Sequence, residues 1–141
     1  LLANMDCSVD ATILEKSKAQ PHLKDQARLY RMAWYLHFKQ LAWHMSSSDR
    51  LFVAASSLGT KKARHALHAA VDEVVLQLSP CSSHRVAFWP AESDPCLQVA
   101  DYCTWAIQRK WEREDARSHA LIASKIRTEF DVWQLGSVNY Y

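Results

Sequence analysis

Leu51-Phe52-Val53-Ala54-Ala55, running on through Ser56-Ser57-Leu58-Gly59-Thr60-Lys61-Lys62 into a helical stretch that ends at Leu78, decides the fold class of this chain. Five apolar residues without polar alternation have the length of a strand and suit a parallel strand buried on both faces. The pattern then changes period. Ala63, Leu67, Ala70, Val71, Val74, Val75 and Leu78 repeat at three and four, while Lys62, His65, His68, Asp72 and Glu73 take the other side. Gly59 provides the turn, Thr60 the N-cap and Ser79-Pro80 the stop. A buried strand that feeds an amphipathic helix is the repeating unit of an α/β sheet.

The same alternation extends in both directions. Downstream, residues 84–89 read as a strand ended by Pro90, and Asp94-Pro95 caps a helix running to about Glu112. Asp115 then caps a last helix with the core stripe Ile122, Ala123, Ile126, Phe130 and Trp133. Upstream, residues 10–16 read as a short strand. Residues 23–45 form a helix with Lys24, Arg28, Arg31, Tyr35 and Lys39 on one side, and Ser46 to Asp49 break it. The expected order is β-α-β-α-β-α-α, with parallel strands and helical crossovers. Three strands make a thin sheet for so much apolar helix surface. Residues 1–141 are therefore expected to be one domain that is incomplete at its N-terminal side.

Composition excludes several function classes. Only two glycines, Gly59 and Gly136, occur in 141 residues. No Gly-rich phosphate loop, dinucleotide fingerprint or nucleophile elbow fits that count, so no small-molecule cofactor is expected. Many-turned β-sandwiches are disfavoured for the same reason. A hydrophobic share of 49% with 23% charged residues describes a globular chain. The net charge of +2 is too mild to argue for or against nucleic acid. No apolar run reaches the ~18 residues of a membrane span, so no membrane partner is expected. Cys7, Cys81, Cys96 and Cys103 form no C-x-x-C pair and fit a reducing cytoplasm.

In an open parallel sheet, chemistry sits where strands end. Two loops qualify, residues 56–62 and residues 90–94. In the first, Lys61, Lys62 and Arg64 crowd the first turn of a helix, where the dipole disfavours cations. With the backbone N–H groups, Lys61 and Lys62 are candidate phosphate binders, and a solvated basic turn is the plainer reading. On the helix after the second loop, Val99, Ala100, Cys103, Ala106, Ile107 and Trp111 form the expected buried arc. Asp101 falls at its margin, beside Leu97 and Thr104. A carboxylate there needs hydrogen bonds, a cation or a metal, and a structural ion pair competes with a metal-ligand role. Gln98, one turn earlier, is placed to support Asp101 or to touch a ligand. His65, His68 and Asp72, or Cys81 with His84, have metal-compatible spacing, but a solvated helix face and an incomplete ligand set account for them.

The stretch from Ser93-Asp94-Pro95-Cys96-Leu97-Gln98-Val99-Ala100-Asp101-Tyr102 to Cys103-Thr104-Trp105-Ala106, followed by Arg109-Lys110-Trp111-Glu112, resembles the C-terminal signature of the "domain of unknown function" family 3800. Residues 126–131 and Leu29-Tyr30 extend the likeness, which covers roughly residues 10–133. The resemblance implies an RNase H-like fold, three-layered with a mixed sheet, whose first two strands are missing from this chain. It also implies a Mg²⁺-dependent nuclease acting on DNA or RNA, with Asp101 as the catalytic and metal-binding acid. Two Mg²⁺ ions in such a site need several carboxylates. Ser56 and Ser57 stand where an aspartate of the family is expected, so the piece is expected to be inactive alone. The alternative is a non-catalytic module that binds nucleic acid or a protein. A strand edge left open by missing neighbours would favour pairing with a second copy.

Overall fold

The computed structural model describes residues 2–23, 25–57 and 61–134. Its main elements are β1 (Val9–Ile13), α1 (Gln26–Leu41), β2 (Arg50–Ser56), α2 (Lys61–Leu78), β3 (Ser83–Trp89), α3 (Pro95–Arg113), α4 (Arg117–Ile122) and β4 (Ile126–Asp131). The class is α/β, as the alternation predicts. Strand pairing is parallel in both two-stranded sheets, β1 with β4 and β2 with β3. A mixed sheet is therefore not seen among the described residues.

Local chemistry accounts for the boundaries. Asp25 caps α1 by accepting a hydrogen bond from the Arg28 N–H at 3.1 Å. The helix then tightens into a 3₁₀ turn at Ala42–His44, short of the predicted residue 45. Asp49 closes the serine turn by accepting from the Ser46 N–H at 2.8 Å. Asp94 caps α3, with Pro95 at the first helical position. At the far end Glu114 takes a left-handed conformation, φ 55°, and its N–H reaches back to the Arg109 carbonyl. Gly59 and Thr60, predicted as turn and N-cap of α2, lie outside the described residues.

The core has three parts. Phe38 of α1, Val53 of β2 and Val71, Val74 and Val75 of α2 pack together, the three valines at the predicted helical spacing. Cys103, Ala106 and Ile107 of α3 join Ile122 of α4 against Val9, Ala11 and Ile13 of β1 and Ile126 of β4. Ala19, Leu29 and Trp133 make the third part. β1 alternates strictly. Its odd residues enter the α3–α4 cluster, while Thr12 turns toward α1, its Oγ1 3.1 Å from His37 Nδ1. Helices thus cover both faces of β1.

Two sequence expectations are corrected. Residues 126–131 form a strand rather than the continuation of a last helix, so there are four strands among the described residues. Ile126 and Phe130 are four apart, which suits a helix stripe, but Ile126, Thr128 and Phe130 also alternate, and pairing with β1 selects the strand. As a result β4 occupies one edge of β1, an edge that was expected to be open. Burial of β2 on both faces is also corrected. Val53 and Ala55 are buried, whereas Phe52 between them and Arg50 is 58% exposed.

Candidate functional site

The strand ends that precede the two predicted loops lie side by side. Ser57 N–H donates to the Trp89 carbonyl at 3.0 Å, which joins the end of β2 to the end of β3. Beyond Trp89, a 3₁₀ turn at Ala91–Ser93 leads to Asp94. One oxygen of Asp94 accepts from the N–H groups of Cys96 and Leu97, at 2.7 and 3.4 Å. The other accepts from the Trp89 indole N–H at 2.9 Å. The Cys96 N–H first, then the Trp89 indole, hold the Asp94 carboxyl below the usual carboxylate range. Asp94 therefore fixes the start of α3 and the ring of Trp89 together.

The residues singled out from the sequence fare differently. Gln98 is exposed, and its amide donates to the Glu92 carbonyl at 3.1 Å, so it closes the 3₁₀ turn without reaching Asp101. Asp101 is exposed and makes no hydrogen bond or ion pair with the described residues, which corrects its placement at the margin of the buried arc. The physical reason is the rotation of α3. Cys103, Ala106 and Ile107 define its buried side, and at ~100° per residue Asp101 points roughly 150° away from them. Leu97, in the first turn, is also buried, and Ala100 and Trp111, expected inside, are exposed. Lys61 and Lys62 belong to the first turn of α2, and their side chains lie outside the described residues.

The fit of Mg²⁺ depends on clustered hard oxygen donors. Among the described residues, no three His, Cys, Asp or Glu side chains are grouped so as to hold a metal ion. The described surroundings of Asp101 do not fit the ion. Asp72 and the histidines near it have structural partners instead. His84 Nε2 lies 2.9 Å from Asp72 Oδ1, and His68 Nε2 lies 3.3 Å from the Val86 carbonyl.

The structure brings together residues that the sequence reading passed over. Cα pairing between β2 and β3 matches Arg50 with Ser83, Phe52 with Arg85, Ala54 with Ala87 and Ser56 with Trp89. In a parallel ladder, paired residues point to the same face. The partners at 51, 53, 55, 84, 86 and 88 point the other way, and Leu51, Val53, Val86 and Phe88 pack in the core. The outward face therefore carries two arginines, two rings and no acid. Arg50, Phe52, Ser83 and Arg85 are exposed. They line a hollow of about 500 Å³ together with Leu51 and His84. The Phe52 and Trp89 rings stand 5.8 Å apart with their planes 31° from parallel. Neither arginine has an ion-pair partner among the described residues. The polar residues Arg50 and Arg85, each two residues from an apolar outward neighbour, are the sequence signal of this half-open face.

A second surface lies along α3. Tyr102 and Trp105, both exposed, pack at 5.8 Å, and the Arg109 guanidinium sits 5.2 Å from the centre of the Trp105 ring. Arg109 is not free, because Asp115 accepts from its Nε and Nη2 at 3.1 and 2.6 Å. Hydrogen bonds from Arg117 and Arg109 hold the Asp115 carboxyl well below its ordinary range. Further along, Glu129 of β4 receives Lys110 Nζ at 2.7 Å and the Trp111 indole N–H on one oxygen, with His119 Nε2 2.7 Å from the other. Burial opposes ionisation of Glu129, but these partners outweigh it and its carboxyl is held low. Arg109 and Lys110 of α3 are thus neutralised by partners of their own, whereas Arg50 and Arg85 on the β2–β3 face are not. No helix among the described residues is long and apolar enough to cross a membrane. The chain matches no protein-family model, no curated protein and no solved structure.

Proposed function

We propose that this chain is a nucleic-acid-binding α/β module of RNase H-like type, related to family 3800, that holds a strand without cutting it by itself. One observation carries the reading: Arg50 and Arg85 lack counter-ions among the described residues and flank an exposed ring on an acid-free sheet face. Unpaired arginines beside an exposed ring and a half-buried one meet the two needs of a nucleic acid, a partner for phosphate and a surface for bases. The cysteines stand as free thiols, which suits the reducing cytoplasm as the working compartment.

The test is equilibrium binding of fluorescently labelled DNA and RNA, single-stranded and duplex, over a series of salt concentrations. Binding that weakens linearly with the logarithm of salt is the expected result. Absence of binding to every probe at low ionic strength overturns the reading.

Mg²⁺-dependent phosphodiester hydrolysis is the second reading. Asp101, an exposed carboxylate within the stretch that resembles the family signature, supports it, and it requires further carboxylates that the described residues do not bring to Asp101. One acid does not hold two ions. Metal-dependent cleavage by the purified chain, abolished by Asp101→Asn, would establish this reading over the first.

A further inference from the structure

We infer that the outward face of β2 and β3 is a platform for single-stranded nucleic acid, on which Phe52 and Trp89 stack bases and Arg50 and Arg85 hold phosphates. The inference rests on the nucleic-acid reading and adds to it a place and a strand type.

Geometry selects the single strand. The parallel register sets Arg50 and Ser83, Phe52 and Arg85, Ala54 and Ala87, and Ser56 and Trp89 side by side on one face. Ala54 and Ala87 carry only methyl groups, so the Phe52 and Trp89 rings lean toward one another across them. Phe52 is 58% exposed. Trp89 is turned by its hydrogen bond to Asp94, so its ring is oriented before any ligand arrives. A tilted pair of rings 5.8 Å apart offers faces to unstacked bases. In a duplex those base faces are already stacked on one another and only the phosphates are presented. The two arginines alone would then bind, and the rings would contribute nothing.

Charge complementarity fixes the class of occupant. The eight outward residues include two cations and no carboxylate. Two acids adjoin the face, Asp49, whose carboxylate is engaged by the Ser46 N–H, and Asp94, whose carboxylate is engaged by the Trp89 indole and the Cys96 N–H. An apolar partner protein would leave both guanidinium groups desolvated without counter-charge, which is costly. Phosphates neutralise them.

Fluorescence anisotropy with labelled oligo-dT, oligo-U and a duplex of equal length, using the whole chain, tests the platform. Both single strands are expected to bind more tightly than the duplex, and the difference between the dT and U arms identifies the natural sugar. Two phosphate contacts give a slope of about −1.4 in log K against log salt, and Arg50→Ala or Arg85→Ala each removes about 0.7 of it. Phe52→Ala weakens single-strand binding roughly tenfold at unchanged slope. Phe52→Trp restores it and Phe52→Leu does not. All these positions are exposed, and circular dichroism of each variant verifies folding. Equal affinity for duplex and single strand, or wild-type binding by Phe52→Ala, overturns the platform while the nucleic-acid reading stands. If no probe binds at low salt, both fall. A dimer that Phe52→Ala converts to monomers, with no oligonucleotide binding, assigns the face to a second copy of the chain and overturns both.

Discussion

Arg127 closes a bidentate ion pair on Asp10, donating from Nε to Oδ1 at 2.9 Å and from Nη2 to Oδ2, although 117 residues separate them. A β-bulge makes the contact. Val9 pairs with Ile126, but Asp10 pairs with Thr128, so Arg127 is the extra residue of β4. The bulge brings its guanidinium to the same side as Asp10, and the Thr128 hydroxyl donates to the same carboxylate at 2.8 Å. The parallel pair between the first and last strands is thus locked by charge as well as by its ladder.

The lock has a pH signature. Burial raises the Asp10 carboxyl, but the Arg127 and Thr128 hydrogen bonds outweigh burial and leave it below its ordinary value. With a depressed folded-state pKa, the stabilisation is complete above the unfolded value, about pH 4, and is lost as pH falls through the folded value. Asp10→Asn is expected to remove this acid-side slope in denaturant titrations. Arg127→Ala at neutral pH is expected to cost about 1–3 kcal/mol, because it strands a mostly buried carboxylate.

His37 titrates in a different window. Desolvation lowers the ring, with the nearby Asp10 charge opposing. The neutral form is favoured in the fold, while the unfolded ring takes a proton near pH 6.5. Stability from this site is therefore full above about pH 6.5 and declines as pH falls toward the lowered value. Urea midpoints measured down from neutral pH should show that decline in wild type and not in His37→Gln. A wild-type midpoint that stays level between about pH 7 and pH 5 contradicts it.

Glu129 is the acceptor for Lys110, Trp111 and His119 at once. Glu129→Ala leaves three donors without an acceptor and is expected to cost roughly 2–3 kcal/mol by chemical denaturation. Glu129→Gln, which keeps a carbonyl oxygen, should cost less. Equal losses in the two variants would mean that charge alone matters there.

Asp94 couples a helix cap to an aromatic ring. Asp94→Ala should lower the melting temperature and also alter the near-ultraviolet dichroism of Trp89, while Asp94→Asn preserves much of the cap. In Trp89→Phe the cap survives and only the indole bond is lost. An Asp94→Ala protein with the wild-type aromatic signal argues against the coupling.

Asp101 supplies the control. Exposed and without a described partner, it should tolerate Asp101→Ala within about 0.5 kcal/mol. A large loss on substitution would reveal a contact made by the chain in solution.

How much of this was legible in the sequence differs by element. α2 and α3 could be read because their apolar residues recur with one period and the ends carry recognisable signals, the Ser79-Pro80 stop of α2 and the Asp94-Pro95 start of α3. β4 could not, because a six-residue segment with Ile126 and Phe130 satisfies both periods, and the partner that decides between them is β1, far away in the chain. The bulge at Arg127 has no local signal at all. At the candidate site, the cap and the meeting of the two strand ends were readable. The open face was hidden because an unbroken apolar run reads as buried, and only the flanking Arg50 and the facing Arg85 betray that Phe52 looks outward.

The parallel pairing of β1 with β4 also sets how the molecule answers to force. Val9 lies beside Ile126 and Ile13 beside Asp131, so a pull at Val9 and Asp131 acts on opposite ends of the pair. The load is shared by all the interstrand bonds and the Asp10–Arg127 clasp together, instead of opening them one after another. The same load on β2 and β3, applied at Arg50 and Trp89, meets a second pair in the same shearing geometry.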